Sequence, residues 1–202
     1  MKHSILNTIN ELDIKIKKQL EKDLYFMRIA KEVSKASKCL SRKIGSVLVK
    51  DGCVVSTGYN GPAKGVKHCN ERDLKFYFTL DKREDFLINE FITEQKFKNC
   101  CPRRTLGYQS GQGLHLCQAG HSERNAIIQA ARNGISTKDT TLYCFCGQVC
   151  KDCAIEIINS GIKELIYLSG PEKRPINPYD NYSEIILEES GILIRTINEE
   201  LI

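Results

Sequence analysis

Residues 44–61, IGSVLVKDGCVVSTGYNG, constrain the fold more than any other stretch of the chain. Two β-branched runs flank Asp51-Gly52, a pair suited to the left-handed positions of a tight hairpin turn. Tyr59-Asn60-Gly61-Pro62 then ends the second run in another turn. Beyond the hairpin the period changes. Ser122 to Arg132 reads as a helix closed by Asn133-Gly134. TLYCF (141–145) reads as a strand, 150–160 as a helix closed by Gly161, and KELIYLS (163–169) as a strand. ILEES (186–190) reads as a helical turn and GILIRTI (191–197) as a last strand. A hairpin followed by helix, strand, helix, strand, helix, strand implies an α/β domain of three layers, α/β/α, with a central mixed sheet of about five strands.

Upstream, Ile5, Ile9, Leu12, Ile16 and Leu20 recur at steps of three and four. They predict an amphipathic helical leader, residues 1–20, that packs on the domain or on a partner chain. A second helical pattern through Leu24, Met27, Ala30 and Val33, ending near Ser37, opens the main domain, residues 21–202. Residues 70–118 read as an insertion within it. Phe86, Leu87, Phe91 and Ile92 predict a helix around 82–98, followed by the loop NCCPRRTLGYQSGQGLHLC (99–117). That loop is rich in glycine, yet it has no G-x-x-x-x-G-K-[ST] and no strand leading into it, so it is not a phosphate loop.

With 41% hydrophobic and 27% charged residues the composition is that of a globular chain. A net charge of +5 over 202 residues permits anionic ligands without the basic stripe of a nucleic-acid binder. The first residues interrupt every short apolar run, so no secretory signal and no membrane-spanning run is expected. A cytoplasmic location follows as the expectation, where thiols stay reduced. Ten cysteines in such a chain point to metal ligation or burial rather than to disulfides.

Two short pieces carry the chemistry. One is Gly120-His121-Ser122-Glu123 at a helix start; the other is Cys150-Lys151-Asp152-Cys153 at the next helix start. Each alone is a weak signal, since lone histidines are commonly structural and C-x-x-C also serves redox chemistry. Together they supply an imidazole and two thiols, and thiols at a helix start are biased toward thiolate. Three protein ligands leave a tetrahedral zinc one open position, the arrangement of a catalytic site. Glu123, two residues from His121, can move a proton there without being a ligand. Cys144 and Cys146 sit two apart at a strand end and so share one face; burial is the simpler role for both.

H-x-E followed by C-x-x-C is the signature of the zinc-dependent cytidine and deoxycytidylate deaminases, and this chain resembles that superfamily. SKASKCLSRKIGSVLVKDG, STGYNGPAKG, HSERNAIIQAARNGI and CAIEIINSGIKELIY resemble its deoxycytidylate branch, over roughly residues 23–195. The resemblance implies a cytidine-deaminase-like fold and hydrolytic deamination of dCMP to dUMP, feeding thymidylate synthesis. It implies zinc on His121, Cys150 and Cys153, and Glu123 as the group that takes a proton from water and passes it to the cytosine ring. Asn60 is implied as a substrate contact at the sugar. Arg124, Lys43 and the GYNG turn are unranked candidates for the 5′-phosphate, with a solvated helix residue as the equal alternative for Arg124. Two positions depart from the family pattern: Ser122 stands where alanine is usual, and Val149 where proline is usual.

The same resemblance implies a structural zinc on Cys39 and Cys69, with Cys101 and Cys117 completing a Cys₄ set; His68, His115 or Cys100 are alternatives for one of them. It also implies regulation by dCTP and dTTP, with Mg²⁺, near Lys43 and Gly61, and a homo-oligomer, a hexamer in many members. Neither a membrane nor a nucleic acid is an expected partner. Deamination of free cytidine, deoxycytidine or tRNA adenosine is the alternative within the enzyme class. A non-catalytic zinc-stabilised binding protein is the alternative outside it.

Overall fold

The structure is a computed structural model that describes residues 2–72, 76–77, 80, 100–109, 111–169 and 178–202. Its centre is a five-stranded sheet of order β2-β1-β3-β4-β5, formed by β1 (Gly45–Lys50), β2 (Cys53–Tyr59), β3 (Thr141–Cys144), β4 (Glu164–Ser169) and β5 (Leu193–Asn198). β1 runs antiparallel to both β2 and β3, whereas β3, β4 and β5 are parallel. The sheet is therefore mixed, as the sequence pattern requires. Asp51 and Gly52 have φ of 50° and 78°. Two consecutive left-handed residues make the type I′ turn whose twist matches the flanking strands.

Helices cover both faces. On one side α1 (Lys2–Ser34) brings Phe26, Met27 and Ala30 against Val47, Val49, Tyr143 and Ile166. On the other side lie α3 (Ser122–Arg132), α4 (Lys151–Asn159) and α5 (Pro178–Glu189), packed on Leu48, Leu142 and Leu165. Neighbouring strand residues such as Val47 and Leu48 thus serve opposite layers, as the pleat demands. Each buried leucine of the central row contributes about 1.5–3 kcal/mol relative to exposure.

The leader is not a separate helix. α1 runs unbroken for 33 residues, because residues 2–34 contain neither glycine nor proline and the three-and-four spacing passes from Leu20 to Leu24 without a slip. What changes along it is the company it keeps. Met27 and Ala30 are fully buried, while Leu12, Ile14, Ile16 and Leu20 are exposed, so that part of the helix joins neither hydrophobic face of the sheet among the described residues. α5 is likewise longer than the expected turn at 186–190, spanning twelve residues.

The insertion contains a short helix, α2 (Pro102–Thr105), capped by Cys101 with a proline at its start, where a missing N–H costs nothing. Tight 3-10 turns occupy Cys69–Glu71 and Leu114–Leu116. Tyr77, Leu106 and Leu116 form a small satellite core there. The helix expected around 82–98 lies outside the described residues.

Candidate metal centre

His121 and Cys150 are the residues immediately before α3 and α4, each with extended backbone (φ −74°, ψ 154° and φ −76°, ψ 164°). Their carbonyls start the two helices by accepting from Asn125 N at 3.0 Å and Ala154 N at 2.9 Å. Both helix starts therefore meet, and with them two sets of unpaired N–H groups and two positive dipole ends. α3 is closed at its far end by a Schellman motif: Gly134 N donates to Ala131 O and Ile135 N to Ala130 O.

His121 Nδ1 lies 3.3 Å from Cys150 Sγ and 3.3 Å from Cys153 Sγ, and all three ligand atoms fall within 4.8 Å of one another. A tetrahedral zinc with bonds of about 2.0 Å to nitrogen and 2.3 Å to sulfur separates such atoms by about 3.6 Å. Both nitrogen–sulfur distances stand within a few tenths of an ångström of that requirement. Its protons tell the same story. The Cys150 thiol is held down to about 4, first by the hydrogen bond from Cys153 and then by His121. Cys153 is pushed well up by the same pair interaction and by burial. His121 is raised, chiefly by its hydrogen bond to Cys150. Two thiolates cannot share this space without a cation between them, and a soft nitrogen–sulfur donor set suits zinc.

Glu123, the second residue of α3, is 4% exposed. Its carboxylate accepts from Ser122 Oγ at 2.8 Å, and Ser122 Oγ is 2.7 Å from Ser46 Oγ. The Glu123 carboxylate also comes within 4.8 Å of the sulfurs of Cys144 and Cys146. These two cysteines are buried, as expected, yet they line the carboxylate and are not remote from it. Sequence reasoning missed Ser46; its one available signal was a small polar residue inside an apolar strand. Val149 is 1% exposed and packs in the core beneath α4, so a side chain holds this turn where a proline ring is usual.

The GYNG turn is beside the centre. Asn60 is buried, its Oδ1 accepting from Ile44 N and its Nδ2 donating to Arg42 O, both at 2.8 Å. Gly61 is joined through its backbone to Gly120, next to His121. Arg124 is half-exposed, and its Nε donates to Glu156 Oε2 at 2.8 Å across the gap between α3 and α4. Lys43 is exposed.

Cys39, Cys69, Cys101 and Cys117 come together as well. All four line one recess, with His68 and Pro62 beside them. The Cys69 thiol is raised first by burial, then by Cys101 and Cys39, with Cys117 adding to it. Backbone N–H groups point at two of these sulfurs: Leu40 at Cys69 and Ser41 at Cys39, 3.5 Å away. Among the described residues, no three of the four sulfurs close to the mutual 4.8 Å seen in the His121 group. His115 and Cys100 do not line the recess.

Residues 20–169 match the sequence model described as the cytidine and deoxycytidylate deaminase zinc-binding region. The deoxycytidylate deaminase of Enterobacteria phage T2 is 34% identical over 154 residues, covering 73% of this chain and 79% of the phage protein. That of Schizosaccharomyces pombe is 29% identical over 86% of this chain, but the chain spans only 43% of the yeast protein's length. In fold, the dCMP deaminase of cyanophage S-TIM5 superposes with a TM-score of 0.56 at 20% identity, covering 88% of this chain and 98% of that one.

Proposed function

Because this chain belongs to the cytidine and deoxycytidylate deaminase zinc-binding family, we propose that it hydrolyses dCMP to dUMP and ammonia in the cytoplasm, feeding thymidylate synthesis. The observation that carries the reading is the buried Glu123 carboxylate, whose charge acts on both His121 and Cys153, beside a ligand trio, His121, Cys150 and Cys153, that leaves a tetrahedral metal one open position. Zinc held by these three supplies the Lewis acidity that makes a water molecule nucleophilic near neutral pH. Glu123 takes a proton from the attacking water, delivers it to ring N3, and then assists the amine at C4 to leave. The water oxygen becomes bonded to C4, the C4–N bond breaks, and the amine departs as ammonia.

Arg124, oriented by Glu156 through Nε, is the proposed partner of the 5′-phosphate, since a guanidinium offers further N–H groups for an anion. Asn60 gives one N–H to Arg42; its amide carries a second, which is assigned to the sugar. Turnover of dCMP, deoxycytidine and a tRNA measured side by side tests the reading. Turnover of dCMP alone is the expected result, and preferential turnover of either competitor overturns it.

A structural zinc on Cys39, Cys69, Cys101 and Cys117 completes the proposal. The shared recess and the two N–H groups aimed at sulfur support it, and a closed Cys₄ set would anchor the insertion to the end of α1. Regulation by dCTP and dTTP with Mg²⁺ is assigned to the surface beside exposed Lys43 and the Gly61 turn. Self-association, as a hexamer by family likeness, would bury the apolar residues Leu12, Ile16 and Leu20 that α1 leaves exposed.

A further inference from the structure

The two carboxylate oxygens of Glu123 are not equivalent. Oε2 accepts a hydrogen bond from Ser122 Oγ at 2.8 Å. Ser122 Oγ in turn lies 2.7 Å from Ser46 Oγ. A serine hydroxyl has a single proton to give. Ser122 gives its proton to Glu123, so in the contact between the serines Ser46 is the donor, its hydroxyl shared between Ser122 at 2.7 Å and the more distant Cys144 Sγ at 3.4 Å. Both serines are fully buried, and Glu123 is 4% exposed, so water does not compete for these bonds.

Three separate elements build this chain of hydroxyls. Ser122 is the first residue of α3. Ser46 lies on β1, directly opposite Cys144 of β3 in the sheet register, with its Oγ 3.4 Å from Cys144 Sγ. The close passage of β2 under α3 keeps the helix start down on the sheet: a Cβ on Gly58 would fall 2.3 Å from Ser122 O. The serines therefore meet because the strand register and the close helix approach bring them together.

We propose that Ser46 and Ser122 are positioning residues that reserve Oε2 of Glu123 and leave Oε1 as the oxygen that carries the transferred proton. The inference rests on Glu123 being the acid/base group of the proposed deaminase. A glutamate's terminal torsion is broad and two-fold, so an untethered carboxylate could rotate and present either oxygen. A tether on Oε2 removes that freedom and holds the proton-carrying oxygen at one place. Fixed geometry of this kind matters because small misplacements of a reacting group carry large rate costs.

Ser122→Ala, Ser46→Ala and the double variant test the proposal in the zinc-loaded full chain, with zinc content and melting temperature checked for each. The expected result is a fall in kcat of about tenfold for each single variant, the scale of one hydrogen bond to a charged group, with KM for dCMP changed by no more than about twofold. The double variant is expected to be no slower than the slower single, because the two hydroxyls act through one bond. Full kcat in the single variants, or losses that multiply in the double, would overturn it.

A second readout is independent of activity. The carboxylate stretch of Glu123, isolated as the infrared difference between wild type and Glu123→Gln in metal-free protein, is expected to shift on Ser122→Ala. An unshifted band overturns the proposal even if rates change. Absence of dCMP turnover in the wild type marks failure of the deaminase reading itself. Wild-type turnover with unimpaired serine variants marks failure of this inference alone.

Discussion

Gly61 and Gly120 exchange two backbone hydrogen bonds, Gly61 N to Gly120 O at 3.1 Å and Gly120 N to Gly61 O at 2.8 Å. This short antiparallel bridge ties the GYNG turn to the residue before His121. Asn125, one turn into α3, adds a side-chain bond to Tyr59 O at 2.8 Å. The end of β2 and the start of α3 are thus one rigid unit, and what disturbs their packing reaches the metal centre.

Gly58 gives the sharpest test of that unit. A Cβ there would fall 2.3 Å from both Ser122 O and Ala126 N, backbone atoms that move only if α3 moves. Gly58→Ala is expected to cost about 1–3 kcal/mol or more and to weaken zinc retention at limiting metal. A Cβ on Gly61 meets nothing nearer than the Tyr59 ring, at 3.8 Å, so Gly61→Ala is expected to stay within about 0.5 kcal/mol of wild type. Urea unfolding and elemental zinc analysis check both.

Glu123→Ala removes a buried carboxylate that is not among the three ligand atoms of the His121 group. Zinc content is expected to be unchanged, while kcat for dCMP falls by about 10²–10⁴, the range of a positioned acid/base group. Unaltered turnover would falsify the role of Glu123.

Elemental analysis of the full chain is expected to give two zinc ions. Cys117→Ser should leave one, with loss of protease resistance confined to the insertion and with residual dCMP turnover. One zinc in the wild type removes the structural site.

Alkaline stability has a definite sign. Tyr77 is pushed up to about 12, first by burial and then by neighbouring Cys69. Tyr143 is raised first by burial and then by Asp23, which accepts its hydroxyl proton at 2.8 Å. An unfolded tyrosine titrates near about 10. Below that both states keep the phenol proton. Above it the unfolded chain releases the proton and the folded chain does not. The stability from these residues is therefore complete below about pH 10 and lost as pH rises through the folded values. Urea midpoints are expected to fall beyond about pH 10. A midpoint that rises from about pH 10 to pH 11 would contradict this account.

Asp23 also joins the two ends of the fold. Its side chain pairs with Arg195 of β5, whose Nε bonds Glu164 of β4 at 2.7 Å. Because the carboxylate is buried and Arg195 only partly so, Asp23→Ala is expected to cost about 2–3 kcal/mol, discounted from a fully buried pair for solvent at the guanidinium. Urea unfolding at neutral pH measures it.

Much of the architecture could be read from local sequence. Asp51-Gly52 specifies its turn through two left-handed residues, Asn133-Gly134 stops a helix, and the spacing of Leu24, Met27 and Ala30 marks one helix face. His121, Glu123, Cys150 and Cys153 were legible because each stands in a short motif at a helix start. The continuity of α1 was present in the spacing too, but the exposure of Leu12 and Leu20 was not, since periodicity shows that a face is apolar and not what meets it.

Other relationships exist only in three dimensions. Ser46 and Ser122 are separated by 76 positions and meet because β1–β3 register and the Gly58 approach bring them together. The four cysteines of the recess come from the segment after α1 (Cys39), the turn at Cys69–Glu71, the start of α2 (Cys101) and the end of the turn Leu114–Leu116 (Cys117), and Val149 becomes a core residue only once α4 lies on the sheet. Sequence by itself determined the strands of the sheet, the hairpin turn, the helix starts at His121 and Cys150 and the residues there that could bind metal or carry a proton, because those properties depend on neighbours within about four positions. Tertiary structure decided which oxygen of Glu123 is held, and by what, because that depends on strand register and helix packing between segments far apart in the chain.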